Sequence, residues 1–124
     1  MSKKTKILIV EDNAVNLELF IDILSLTDYE YLTARSGEEA IEIALKEQPN
    51  VILLDIQLPS MDGITVAKIL REREETKGCK IIALTAHAMK GDRENFIRLG
   101  FDGYISKPIV VKEFLREIEI YAAE

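Results

Sequence analysis

Short apolar runs alternate five times with longer amphipathic stretches along this chain. The runs are Ile7–Val10, Tyr29–Ala34, Val51–Leu54, Lys80–Leu84 and Gly103–Ser106. Runs this short and rich in β-branched residues predict strands. The first, third and fourth are nearly continuous in Ile, Leu, Val and Ala, as strands buried on both faces are. The second and fifth mix in polar residues and suit the edges of a sheet.

Helices are predicted between them. Ala14 to Leu26 carries Leu17, Phe20, Ile21 and Leu24 at helical spacing. Ser36-Gly37-Glu38-Glu39 has the form of a capping box, opening a helix to about Glu47 with Pro49 as a stop. Ile64 to about Glu75 carries Val66, Ile69 and Leu70, and Asp92 to Leu99 carries Phe96, with Gly100 placed to end it. Ile109 to Tyr121 carries Phe114, Leu115 and Ile118. No repeat, linker or low-complexity tract interrupts the series.

Strict βα alternation predicts a parallel sheet with helices on both faces, and right-handed crossovers leave few topologies. Central first, third and fourth strands give the order 2-1-3-4-5, a flavodoxin-like (βα)5 doubly wound α/β fold. Ligands in such sheets bind at the carboxyl ends of the strands, beside strands one and three.

Composition narrows the function classes. A length of 124 residues predicts one domain over 1–124. A net charge of −6 repels nucleic acid and anionic membrane surfaces, so neither is an expected partner. Cys79, the single cysteine, excludes an internal disulfide, and no Cys/His cluster suits zinc. Without a signal-peptide pattern or a membrane-spanning apolar run, a cytoplasmic location is expected.

The polar residues at the strand ends form a constellation. Strand one ends in Glu11-Asp12, strand three in Asp55, strand four in Thr85 and strand five in Lys107-Pro108. Carboxylates about 4 Å apart repel by on the order of 4 kcal/mol per pair at an effective dielectric near 20. Such a cluster raises a pKa or holds a cation, and an all-oxygen donor set suits Mg²⁺. Singly, several have ordinary explanations. Glu11-Asp12 reads equally as a turn with Asp12 or Asn13 capping the next helix, Thr85 as a strand-end cap, and Lys107-Pro108 as a helix start. Asp55, closing a fully apolar run, is harder to explain that way. Four strands each ending in a residue suited to phosphoryl chemistry favour a shared site.

These residues resemble the receiver domains of bacterial two-component response regulators over essentially the whole chain. The carriers are Ile7–Asn13, Ile52–Pro59, Met61-Asp62-Gly63, Ala83–Ala86 and Tyr104–Ile109. The resemblance implies that Asp55 accepts a phosphoryl group from a phosphohistidine. It implies Mg²⁺ held by Glu11, Asp12 and Asp55 with the backbone carbonyl of Gln57. Thr85 and Lys107 would contact phosphoryl oxygens, Tyr104 would be the aromatic switch residue, and the Lys107–Pro108 peptide would be cis. Gln57 and His87 would flank the phosphoryl group and tune its lifetime, although on its own His87 reads more readily as an exposed loop residue. The segments resemble both single-domain receivers of the DivK type and receivers of hybrid histidine kinases. Such a domain promotes only its own phosphorylation and dephosphorylation and is not otherwise an enzyme.

Two competing readings share features. A flavodoxin-like flavin protein needs an anion-accepting loop after strand one, where Glu11-Asp12 would repel it. An aspartyl-phosphate phosphatase of the haloacid-dehalogenase type uses a D-x-D acceptor, whereas Ile56-Gln57 follows Asp55.

The first helix has more apolar surface than one core face needs. Leu17, Phe20, Ile21 and Leu24 form one stripe, and Val15, Leu19, Ile23 and Leu26 a second. The second is either covered by a neighbouring helix or, through Val15 and Leu19, a docking surface for a histidine kinase or histidine phosphotransfer protein. Output to a downstream protein is expected through helix 4, strand 5 and helix 5, around Phe96, Tyr104 and Lys112. The chain ends just after the fifth helix, so no effector domain is expected.

Overall fold

Ile7, Leu8, Ile9 and Val10 are all fully buried, which requires cover on both faces of the strand that holds them. A computed structural model describes residues 4–86 and 92–123. Its five strands are β1 (Lys6–Val10), β2 (Glu30–Ala34), β3 (Val51–Asp55), β4 (Lys80–Thr85) and β5 (Gly103–Ser106). The helices are α1 (Ala14–Leu24), α2 (Gly37–Glu47), α3 (Gly63–Arg71), α4 (Asp92–Arg98) and α5 (Val111–Ala122). All strand pairs are parallel, in the order β2-β1-β3-β4-β5.

The alternation of each strand sorts the core into two layers. Ile7, Ile9, Val51, Leu53, Ile82, Leu84 and Ile105 pack with Phe20, Ile23 and Leu24 of α1 and Phe114 and Ile118 of α5. Phe20 and Phe114 meet with ring centroids 5.3 Å apart. On the other face, Leu8, Val10, Ile52, Leu54, Ile81 and Ala83 pack with Ala40, Ala44, Val66, Ala67, Leu70 and Phe96. The doubly wound fold is therefore α1 and α5 against one face, and α2, α3 and α4 against the other.

Several predicted boundaries shift, each for a local reason. α1 stops at Leu24 rather than Leu26, because the Ser25 and Thr27 hydroxyls donate to the Ile21 and Leu24 carbonyls at 2.5 and 2.6 Å. Its buried face uses Ile23, with Ile21 half-exposed. α3 stops at Arg71 rather than Glu75. The run Glu72–Glu75 has no apolar side chain to bury, and the buried Thr76 hydroxyl donates to the Leu70 carbonyl at 2.7 Å. α5 begins at Val111 because Ile109 instead packs against the α1/α5 layer. Gly100 has φ +102° after α4, the left-handed geometry expected of a helix-ending glycine. No helix among the described residues is long and apolar enough to cross a membrane.

Candidate functional site

The same alternation that builds the α1/α5 layer delivers the charged groups. Ile7 and Ile9 are followed in register by Glu11, Val51 and Leu53 by Asp55, and Ile105 by Lys107. The apolar pattern of three strands thus ends, at their carboxyl edge, in two buried carboxylates and a lysine. Glu11 is 1% exposed and Asp55 4%. Glu11, Asp12 and Asp55 each present a carboxylate oxygen within 4.8 Å of the others. Lys107 Nζ lies 2.9 Å from Glu11 Oε1 and 3.0 Å from Asp55 Oδ2.

One ammonium does not balance three carboxylates. Burial, reinforced by Asp55, raises the Glu11 pKa above the ordinary carboxyl range against the opposing pull of Lys107. Burial pulls Lys107 down, but its contacts with Glu11 and Asp55 outweigh that and hold it above the usual lysine value. The wholly buried Glu11 Oε1 has no directed hydrogen bond, so its contact with Lys107 is an ion pair alone. An under-satisfied, all-oxygen acidic cluster is a donor set that a hard divalent cation fits.

The loops after the strands hold these groups in place. Asn13, not Asp12, caps α1: its side chain accepts the Asn16 N–H at 3.0 Å. That leaves Asp12 to the acidic cluster, while the Asn13 N–H donates to Glu11 Oε2 at 3.3 Å. After β3, the Gln57 N–H donates to Asp55 Oδ1 at 2.9 Å, so Asp55 is gripped at both oxygens. Gly63, the first residue of α3, packs so tightly that a Cβ there would lie 2.4 Å from the Asp55 carbonyl oxygen. Thr85 closes β4 with its side chain buried, and its carbonyl accepts the Lys107 N–H at 2.8 Å. The Lys107–Pro108 peptide is cis.

Tyr104 stands on the same sheet face as Thr85, since Ala83 pairs with Tyr104 and Thr85 with Ser106. Its ring is half-buried against Phe96, with centroids 5.5 Å apart. It lines a cleft of about 610 Å³ bounded by Arg93 of α4, Ser106 at the end of β5, Lys107 after it, and Glu113 and Arg116 of α5.

The structure therefore gathers Glu11, Asp12, Asp55 and Lys107 in one cluster. Thr85 is tied to it through the Lys107 backbone, and the exposed Gln57 through its N–H. On α1, Val15 and Leu19 are exposed, so no helix among the described residues covers that part of the second stripe, whereas Ile23 is core. His87 lies outside the described residues. Cys79 is a packed thiol: it donates to the Thr76 carbonyl, and burial pushes its pKa up to about 11. Motif reading gave no role to Gly63 and did not mark Arg35, whose guanidinium reaches the Asp12 carbonyl. The restricted space at Gly63 and the pairing of Arg35 with a loop residue far away in the chain have no periodic signature.

Comparison with known proteins agrees with this geometry. The family model described as the response regulator receiver domain matches residues 7–119. The polar-differentiation response regulator DivK of Brucella ovis is 44% identical over 118 residues, covering 95% of this chain and 96% of that protein. The receiver domain of sensor histidine kinase PA1611 from Pseudomonas aeruginosa PAO1 superposes with a TM-score of 0.88 at 33% identity. The match covers 98% of this chain and 100% of that one, and that crystal structure has a magnesium ion coordinated in its active-site cleft. A response regulator from Chloroflexus aurantiacus J-10-fl gives a TM-score of 0.91 at 30% identity, with 98% and 100% coverage. With its fold, its acidic cluster and its sequence all pointing the same way, this chain belongs to the response regulator receiver domain family and serves phosphorelay signal transduction.

Proposed function

We propose that Asp55 is the phosphoacceptor and that Glu11, Asp12 and Asp55, with the Gln57 backbone carbonyl, hold Mg²⁺. The observation that carries this reading is the convergence of three carboxylates within 4.8 Å on one lysine. A bound magnesium ion supplies charge neutralisation between the acidic cluster and the incoming phosphoryl oxygens.

The chain's own residues do the rest. An Asp55 carboxylate oxygen attacks phosphorus in line, the N–P bond of the donor phosphohistidine breaks, and its electron pair leaves with the imidazole. Gln57 N–H and Lys107 Nζ, on opposite oxygens of Asp55, fix the plane of the attacking carboxylate. Lys107, a compact point charge, then pairs with a phosphoryl oxygen. The Thr85 hydroxyl donates to another, and Tyr104 follows it inward toward the small Ala83 position of the same face. This repacks the cleft between α4, β5 and α5, the surface we assign to a downstream protein. The exposed Val15 and Leu19 of α1, close to the site's rim, form the dock for a histidine kinase or histidine phosphotransfer protein.

The flavin reading is disfavoured because Glu11 and Asp12 stand where a flavin phosphate would have to sit. The defining test is phosphate uptake from acetyl phosphate with magnesium. The native chain takes up one phosphoryl group and Asp55→Ala takes up none. Uptake by Asp55→Ala would assign another acceptor.

A further inference from the structure

The β2–α2 turn reaches the site through one side chain. Arg35 Nη2 donates to the backbone carbonyl of Asp12 at 2.8 Å, across 23 residues of sequence. Arg35 is itself anchored. Its N–H donates to Glu39 Oε1 at 2.7 Å, and the Glu39 N–H in turn donates to Ser36 Oγ at 3.1 Å, so the start of α2 holds its base. One residue earlier, the Ala34 carbonyl accepts the Glu11 N–H at 3.0 Å. Asp12 needs such support. It lies outside β1, it does not cap α1, and its carbonyl is fixed by no strand ladder. A charged donor on that carbonyl is stronger than a neutral one, and fixing the peptide after Asp12 limits where its carboxylate can point.

From this we infer that Arg35 is a positioning residue for Asp12, setting the acidic cluster in the geometry a divalent cation needs. The inference rests on the magnesium reading of that cluster. Two effects of Arg35 on cation binding have opposite signs. Its positive charge at the rim repels a cation. Its hydrogen bond pre-arranges a ligand, and losing such outer support typically lowers metal affinity roughly 10–100-fold. Positioning is the larger effect.

The two effects are separated by magnesium titration of the full chain by calorimetry, for the native protein and for Arg35→Ala, Arg35→Met and Arg35→Lys. Exchange of the Asn13 amide, next to the supported peptide, is followed by NMR. Positioning predicts affinity lowered roughly tenfold in Arg35→Ala and Arg35→Met, with faster Asn13 exchange. It also predicts that Arg35→Lys, which keeps a charged donor, binds more tightly than Arg35→Ala. Affinity unchanged or tightened in Arg35→Ala and Arg35→Met, or the reverse order of Lys and Ala, overturns the inference while leaving the magnesium site intact. A native chain that takes up no magnesium overturns the magnesium reading and this inference together. Arg35 is exposed, and melting of the metal-free variants checks that each is folded.

Discussion

Glu11 is the most burdened residue of the molecule: a carboxyl with 1% of its surface in water, beside a second buried carboxylate and one ammonium. Its pKa is raised by burial and by Asp55. In the metal-free chain its contribution to stability is therefore full below the ordinary carboxyl range and lost as pH rises through the raised value. A divalent cation reverses this, because it binds the ionised form and competes with the proton. At magnesium about one hundred times its Kd, stabilisation is about 2.7 kcal/mol, a rise in Tm on the order of 10 °C. Calorimetric melting with and without magnesium should show that rise near neutral pH and a smaller one as the pH falls through the raised Glu11 value, where the proton competes with the ion. A gain independent of pH would place the ion away from Glu11.

Among the elements, α3 and α1 carry the clearest consequences. The N-terminus of α3 presses on the end of β3, and a methyl group at Gly63 would meet backbone, at 2.4 Å from the Asp55 carbonyl oxygen and 2.7 Å from the Ile56 Cα. Backbone does not yield as a side-chain tip does. Gly63→Ala should cost about 2 kcal/mol, a fall in Tm on the order of 8 °C, and slow phosphorylation by moving Asp55. A variant matching the native Tm would show that α3 slides freely. α1 presents Leu19 to solvent at 40% exposure and Val15 at 75%. Leu19→Asp should slow phosphotransfer from the cognate histidine donor while leaving uptake from acetyl phosphate intact; equal loss with both would indicate a folding defect. The same helix shows where sequence reading reaches its limit. Projection gave the stripe Leu17, Phe20, Ile21 and Leu24, whereas the packed face is Phe20, Ile23 and Leu24 with Leu17 partly buried against it. With apolar residues nearly all round, periodicity alone does not choose the face. Likewise Glu72–Glu75 are good helix formers locally, and the hydroxyl of Thr76, bonded to the Leu70 carbonyl, adds a reason for the helix to end before them that periodicity does not show.

For the whole molecule, strand order was legible because burial on both faces leaves a strong imprint. Val51–Leu54 and Ile81–Leu84 are fully buried and read as continuous apolar runs, whereas β2, with exposed Glu30 and Tyr31, reads as an edge. Once the order 2-1-3-4-5 is set, Glu11, Asp55 and Lys107 must converge, since each continues an inward-facing alternation past the end of its strand. What the chain does not display is contact between loops. The Arg35 bond to Asp12 depends on two turns meeting in space, and no spacing along the chain encodes it. The proposed signalling route uses the same layout, from the acidic cluster through Thr85 to Tyr104, which lines the cleft between α4, β5 and α5.

A phosphoryl group on Asp55, in a site that depends on its cation, has a chemical signature of its own. The direct measurement is to phosphorylate the chain with acetyl phosphate, with magnesium or with a chelator, then reduce the product with borohydride and map it by mass spectrometry. An acyl phosphate on Asp55 is reduced to homoserine, so homoserine is expected at position 55 alone, and only in the sample with magnesium. Modification at Asp12 or Asp62 instead, or equal modification at Asp55 with the chelator, would contradict it.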